Sequence, residues 1–274
     1  MIKLIATDLD GTLVHDTKMG KEDRRALLDV ISMGIPVIPV TTRMRHSSSE
    51  ILRGIPIFQN PLICMNGAVV KGPGWEDKYC ESWMKKTHRN DIAETISSYI
   101  DEKGYEVTTV FDERKCWRVR DGQKPGSDPR DPVTWLIEKN HDALEYGLPI
   151  SYMIHEDGNG VEAMSDLERL AKTNCNDSVT IHRHHRMGTW VALTIYPYGV
   201  NKENALKLVC DKVGISMENV LAIGNDEVDK RMLRSAGVGV AMGNAPEHIK
   251  DVADDVAPAC TEDGVSWALK KYVL

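Results

Sequence analysis

Long apolar runs, paired cysteines and an excess of basic residues are all missing from this 274-residue sequence. No stretch approaches the ~20 consecutive apolar residues that cross a bilayer, and the N-terminal stretch reaches acidic residues too early for a secretory signal. We therefore expect a cytoplasmic protein with no membrane partner. The six cysteines form no CxxC pair, which is typical of reduced thiols that only pack. A net charge of -7 argues against a nucleic-acid partner, because binding a phosphate backbone needs clustered Lys and Arg.

Apolar segments alternate with helical patterns at both ends of the chain. Residues 3–7 and 35–40 predict buried strands, residues 21–32 predict the helix between them, and another strand-like run follows at residues 61–70. From residue 202 the same alternation returns. These segments predict an α/β fold with a Rossmann-like doubly wound parallel sheet, built from residues 1–79 and 196–274.

The middle of the chain has a different pattern. Residues 91–103 and 161–172 predict helices, while the strand-like runs around them look paired rather than joined by parallel crossovers. Residues 121–132, which are rich in Pro, Gly and Asp, predict a loop. We therefore assign residues 80–195 to an inserted α+β domain.

Two carboxylates stand at the end of the first predicted strand. Asp8 and Asp10 are two residues apart, so an extended backbone would point both the same way, at the edge of the sheet where α/β proteins bind ligands. Carboxylates this close repel unless a cation or a proton lies between them, and oxygen ligands favour magnesium. An acidic turn without function remains the alternative for so short a motif.

The string DLDGTL at residues 8–13 resembles the first motif of the haloacid dehalogenase-like phosphatases, and more closely their Cof-type sugar-phosphatase branch. The resemblance implies that Asp8 attacks phosphorus to form an aspartyl-phosphate. It implies that Asp10 protonates the leaving oxygen and later activates water. Gly11 and Thr12 would then turn backbone N–H groups towards the phosphate, and Leu9 would lie beside it.

Further segments match the same family in the same order. Thr41, at the end of the next strand, matches the second motif, and Lys202, at a helix start, matches the third. Thr42 replaces the usual glycine, and the arginines that follow it weakly resemble mannosyl-3-phosphoglycerate phosphatases. The resemblance implies catalytic roles for Thr41 and Lys202 and substrate-binding roles for Leu9, Gly11, Thr12, Thr42, Arg43, Asn66, Gly67 and Asn244.

The fourth motif departs from the family pattern. Asn225 stands where a metal-binding Asp is usual, Val228 replaces an Asn, and Asp229 preserves the last acid. The resemblance implies that Asp8, Asp10, Asn225 and Asp229 bind Mg²⁺. An amide in place of a carboxylate removes a negative charge from the site, so we expect weaker metal binding.

Together these motifs predict a magnesium-dependent phosphomonoester hydrolase acting on a small phosphorylated metabolite such as a sugar phosphate. The inserted domain would be a cap that closes over the substrate, with Trp117, Arg118, Arg120 and residues 182–186 as unassigned candidates for specificity. A phosphomutase using the same nucleophile is one alternative. A phosphate-binding protein whose metal site is disabled at Asn225 and Val228 is another.

Overall fold

The chain forms two compact units, Met1–Tyr79 with Asn201–Leu274, and Cys80–Val200. The computed structural model describes residues 1–73, 75, 86–111, 115–118, 126–128, 131–146, 149–155, 160–175, 179–186 and 189–274. The second boundary lies at Asn201 rather than at residue 196, because the last strand of the second unit continues to Pro197.

The N-terminal segment of the first unit contains six strands and two helices within its described residues. They are β1 Leu4–Thr7, β2 Val14–His15, β3 Lys18–Met19, α1 Lys21–Ser32, β4 Val37–Pro39, α2 Arg45–Ile51, β5 Leu62–Cys64 and β6 Val69–Lys71. Residues 61–70 are therefore not one strand. β5 and β6 pair antiparallel around a turn at Met65–Gly67, where all three residues have positive φ and reverse the chain.

The second unit contains a mixed sheet with two long helices. Its elements are β7 Thr108–Val110, β8 Lys115–Arg118, β9 Gly126–Asp128, β10 Asp131–Ile137, β11 Ser151–His155, β12 Val179–Arg186 and β13 Thr189–Pro197, with helices α3 Lys86–Lys103 and α4 Gly160–Asn174. Among the described strands the order is β12-β13-β11-β7-β8-β10-β9. The segment predicted as a loop thus carries β9 and the start of β10, which pair antiparallel.

The C-terminal segment completes the first unit with alternating helices and strands. They are α5 Lys202–Val213, β14 Val220–Gly224, α6 Lys230–Ser235, β15 Val238–Ala241, α7 Glu247–Lys250, β16 Asp255–Val256 and α8 Gly264–Tyr272. Within the described part of the chain, no helix is both long and apolar enough to span a membrane.

The central sheet of the first unit is parallel, in the order β16-β15-β14-β1-β4. From β1 the chain first adds β4 on one side and, after the second unit, adds β14 on the other, so the direction of winding reverses beside β1. Open α/β sheets bind ligands at such a switch point, at the carboxyl ends of the strands. The predicted doubly wound α/β fold is confirmed, and Asp8 follows β1, the strand at the switch point.

Candidate active site

A buried lysine joins two buried carboxylates at the carboxyl end of β1. Lys202 Nζ donates to Asp8 Oδ1 and to Asp229 Oδ1, at 2.6 Å each. Lys202 and Asp229 are fully buried and Asp8 is 5 % exposed. A charged group placed this deep is tolerated when it is paired and hydrogen-bonded, as these three are. We call Asp8, Lys202 and Asp229 the buried charge cluster.

The cluster carries one positive and up to two negative charges away from water. Burial raises the pKa of Asp8 to about 7; Lys202 acts in the opposite direction and Asp229 adds to the rise. Burial alone would lower the pKa of Lys202, but its contacts with Asp229 and Asp8 outweigh burial and raise it. Lys202 therefore stays protonated and supplies a fixed positive charge beside Asp8.

Local sequence explains how Lys202 reaches this position. It is the first residue of α5, whose N-cap Asn201 accepts a hydrogen bond from the backbone N–H of Asn204. The turn between β5 and β6 packs directly on this helix end. A Cβ atom on Gly67 would lie 2.5 Å from the Asn201 carbonyl oxygen, so only glycine permits the approach.

Asp229 is held by the loop that it belongs to. Its Oδ2 accepts hydrogen bonds from the backbone N–H groups of Asn225 (2.9 Å) and Asp226 (3.0 Å), while its Oδ1 accepts from Lys202. A Cβ atom on Gly224 would lie 2.6 Å from the Asp229 side chain, so the glycine makes room for it. Both oxygens of Asp229, one of the predicted metal ligands, are therefore engaged by the protein itself.

The Asn225 amide faces three oxygens of the first motif. With its nitrogen turned towards them, its two N–H groups lie within hydrogen-bond distance of Asp8 Oδ2 (3.1 Å), the Asp10 carbonyl oxygen (2.9 Å) and Thr12 Oγ1 (2.8 Å). The amide thus links the loop after β14 to the loop after β1. These contacts also satisfy oxygens that would otherwise repel one another.

The carboxylate of Asp10 points to a different partner from that of Asp8. Arg43 Nε and one Nη donate to the two carboxylate oxygens of Asp10, at 2.6 Å each. The hydrogen bonds to Asp10 raise the pKa of the Arg43 guanidinium, and the charge of Asp8 adds to the rise. This ion pair is partly exposed, with 27 % of the Arg43 side chain and 46 % of the Asp10 side chain open to solvent.

Thr41 ends the strand region beside β1 and is fully buried. Its hydroxyl accepts a hydrogen bond from the Arg43 backbone N–H (3.1 Å), and its carbonyl oxygen accepts from the Asn66 N–H (2.9 Å). The Asn66 turn therefore supports the loop that carries Thr41 and Arg43. Thr42, between them, is half-buried.

Comparison with known proteins assigns the chain to a family. A family model described as haloacid dehalogenase-like hydrolase matches residues 5–269. The chain belongs to this family. The resemblance inferred from the motifs is confirmed, as is the predicted reaction class of a phosphatase.

Relatives of known name match along nearly their whole length. The chain is 28 % identical over 275 residues to a 5-amino-6-(5-phospho-D-ribitylamino)uracil phosphatase from Bacillus subtilis, covering 100 % of this chain and 96 % of that protein. It is 27 % identical over 276 residues to a phosphoglycolate phosphatase from Methanopyrus kandleri, covering 100 % and 98 %. A solved haloacid dehalogenase-like hydrolase from B. subtilis has the same fold, with a TM-score of 0.77, 23 % identity and 100 % coverage of both chains.

In this haloacid dehalogenase-like hydrolase, the oxygens around Asn225 are of the kind that a small hard cation prefers. Asp8 Oδ2 and the Asp10 carbonyl oxygen converge on the amide, and an amide turned the other way would add its own oxygen. In the part of the chain that the structure describes, no group of three or more His, Cys, Asp or Glu side chains could hold a metal ion. A cation here would thus depend on one carboxylate, one backbone carbonyl and one amide.

Several residues predicted to bind substrate make contacts that support the loop after β1. The N–H groups of Gly11 and Thr12 were expected to face a phosphate, but they donate to the carbonyls of Val14 (2.9 Å) and Leu9 (3.2 Å), because Gly11, at φ 74°, closes a tight turn. The Leu9 side chain is fully buried, and its backbone interacts with Asp8. Asn244 donates to the Gly11 carbonyl oxygen (2.8 Å) and accepts from the Cys260 N–H (2.9 Å).

The cap candidates are described in part. The side chains of Trp117 and Arg118 and all of Arg120 lie outside the described residues, as do the side chains at 184–186. The His182 ring lies edge-on to Tyr196, with 5.6 Å between centroids, and Arg183 Nε donates to Glu168 (2.9 Å). The contact between Asp229 and Lys202 was not predicted from the sequence. The place of Asp229 in the fourth motif indicated a metal ligand, and no local signal predicts its contact with Lys202.

Proposed function

We propose that this protein is a magnesium-dependent phosphomonoester hydrolase that acts on a small phosphorylated metabolite through an aspartyl-phosphate on Asp8. The observation that carries the proposal is the buried charge cluster. A protein that needed only to pack this space would fill it at lower cost with apolar side chains, because desolvating three charged groups is expensive. Burial with strong pKa perturbation at a ligand-binding edge is typical of a catalytic centre.

In the first step, a carboxylate oxygen of Asp8 attacks the phosphorus atom, and the bond between phosphorus and the ester oxygen breaks. Lys202 holds Asp8 in place, and its ammonium group favours the carboxylate form that attacks, against the effect of burial. Asp10 gives its proton to the departing ester oxygen, which leaves as an alcohol. The phosphoryl group is then attached to Asp8.

In the second step, Asp10, now deprotonated, takes a proton from water, and the resulting hydroxide attacks the same phosphorus. The bond between phosphorus and Asp8 breaks, releasing inorganic phosphate and regenerating the carboxylate. Asp10 can serve both steps because it is partly exposed and stands two residues from the nucleophile on the same loop. Thr41, Lys202 and Arg43 are the groups we assign to the phosphoryl oxygens.

Magnesium would be held by the Asp8 carboxylate, the Asp10 backbone carbonyl and the Asn225 amide oxygen. When bound, it would neutralise negative charge on the phosphoryl group and on Asp8. We assign Asp229 a positioning role rather than a place in the metal site, since Lys202 and two backbone N–H groups engage both of its carboxylate oxygens. Asp10 contributes through its backbone, which leaves its side chain for proton transfer.

The substrate class rests on the names of the relatives. One acts on a phospho-D-ribitylamino compound and one on phosphoglycolate, and both are small phosphate esters. We propose a sugar phosphate or a similar phosphorylated polyol for this protein.

The test is release of inorganic phosphate from a generic aryl phosphate and a panel of sugar phosphates, with and without magnesium. Asp8→Asn should abolish release. Asp16→Asn is the matched control, because Asp16 is exposed and lies on the hairpin that follows the same motif. Magnesium-dependent release that survives Asp16→Asn and is lost in Asp8→Asn is the expected result.

Two other outcomes would replace the proposal. A phosphorylated product with the phosphate on a different oxygen, without free phosphate, would indicate a phosphomutase. Binding of inorganic phosphate without turnover of any ester would indicate a phosphate-binding protein.

A further inference from the structure

The ion pair between Arg43 and Asp10 conflicts with the proton transfer assigned to Asp10. Both oxygens of Asp10 accept from the same guanidinium, at 2.6 Å each. A carboxylate bound in this way has both oxygens occupied. It can neither carry a proton to a leaving group nor approach it while the pair persists.

Arg43 also lies near Asp8, the proposed nucleophile. Its guanidinium is close enough to Asp8 for the charge of Asp8 to affect it, and its backbone N–H is fixed on the Thr41 hydroxyl. A planar guanidinium fork binds two oxygens of a phosphoryl group in the same way as it binds two carboxylate oxygens. The Asp10 carboxylate and the phosphoryl group would therefore compete for the Arg43 guanidinium.

We propose that Arg43 exchanges partners on substrate binding: it leaves Asp10 for the phosphoryl group and so frees Asp10 as the proton donor. This inference rests on the proposed function, since it assigns the order of events at that site. The free protein would keep its acid engaged, and the arrival of a phosphoryl group would release it.

The strength of the pair is compatible with such an exchange. An ion pair whose two side chains are 27 % and 46 % open to solvent shifts an equilibrium by about five-fold at most. A phosphoryl dianion carries more charge than one carboxylate and presents its oxygens to the same fork, so it can displace Asp10. A fully buried pair, such as Lys202 with Asp229, would not open as readily.

The direct test is a pair of crystal structures of the whole protein, one without ligand and one with orthovanadate as a phosphate mimic. We expect Arg43 on Asp10 in the first, and Arg43 on the oxyanion with Asp10 released in the second. An oxyanion bound beside Asp8 while both Arg43 contacts to Asp10 persist would overturn the proposal.

A binding measurement supplies an independent readout. Titration calorimetry with inorganic phosphate should show about ten-fold weaker binding in Arg43→Gln, and a smaller loss in Arg43→Lys, which keeps the charge but lacks the fork. Asp10→Ala should bind phosphate about two-fold to five-fold more tightly, because Arg43 no longer has a competing partner. Arg24→Gln is the control, since Arg24 is an exposed arginine that donates to the Gly54 carbonyl oxygen.

The outcomes separate this proposal from the proposed function. Phosphate affinity that is unchanged in Arg43→Gln and in Asp10→Ala would refute the exchange, even if the protein hydrolyses esters. Exchange seen in the crystals and the titrations without turnover of any ester would leave the exchange standing and refute the hydrolase.

Discussion

Replacing Lys202 with Met removes the ammonium group from between two buried carboxylates while leaving a side chain of similar length. Asp8 and Asp229 would then face each other without a cation, in a place where water does not reach them. The breaking of a buried ion pair typically costs 3–5 kcal/mol, since the remaining charge is left uncompensated. We therefore expect a large loss of stability as well as loss of activity.

The structure narrows the expected loss of stability. Burial already raises the pKa of Asp8 to about 7, so in the variant Asp8 can take up a proton near neutral pH at little further cost. Neutralisation of one carboxylate removes most of the repulsion between Asp8 and Asp229. The expected loss of stability therefore lies at the lower end of the range for a broken buried ion pair, at about 3 kcal/mol. For a chain of this size that corresponds to a fall in Tm of roughly 6–12 °C.

Thermal unfolding of the two proteins, followed by circular dichroism, measures this loss. Lys207→Met is the matched control, because Lys207 lies on the same helix and pairs with Glu203 at 2.6 Å, but its side chain is 47 % exposed. An exposed pair of this kind contributes about 0.5 kcal/mol. Equal losses of stability in Lys202→Met and Lys207→Met would refute the reasoning that burial makes the buried charge cluster costly to break.

Three further changes test other parts of the structure. Asn225→Asp should tighten Mg²⁺ binding about ten-fold or more in titration calorimetry, because a negative charge is added to the site. It should lower Tm in the presence of a chelator, because the amide donors to Asp8 and Asp10 are lost. Unchanged Mg²⁺ affinity would contradict the metal assignment. Burial raises the pKa of Asp23 from 3.8 to about 6, so its carboxylate destabilises the fold above about pH 6 and not below about pH 4. Asp23→Asn should therefore stabilise the protein by about 1–2 kcal/mol at high pH alone, as measured by urea unfolding across pH. Gly67→Ala should lower the free energy of unfolding by about 2 kcal/mol or more in the same assay, because of its φ of 98° and its contact with Asn201. Gly34→Ala, with positive φ but no atom within 4 Å, should lower it by about 1 kcal/mol. Equal losses would show that the approach to α5 is not tight.

Local patterns predicted the core elements well. The apolar runs before Asp8 and Thr41 became adjacent parallel strands, and Lys202 begins the helix that the pattern placed there. Regular spacing of apolar residues is a local property, so it can be recognised in one sequence. The hairpin at residues 61–70 was missed because left-handed backbone at Met65 and Asn66 interrupts a run that reads as one continuous apolar strand.

By itself, the sequence determined the family and the fold, and it placed Asp8 at the end of the first strand. Each of these depends on motifs and periodicities that lie within a few residues of one another. The partners of each side chain were decided by the tertiary structure alone. Lys202 meets a residue 194 positions away, Asp10 meets one 33 positions away, and Asp229, predicted as a metal ligand, accepts a hydrogen bond from Lys202. Hydrogen bonds depend on ångström distances between atoms, and such distances across the chain are set only when the sheet and helices pack.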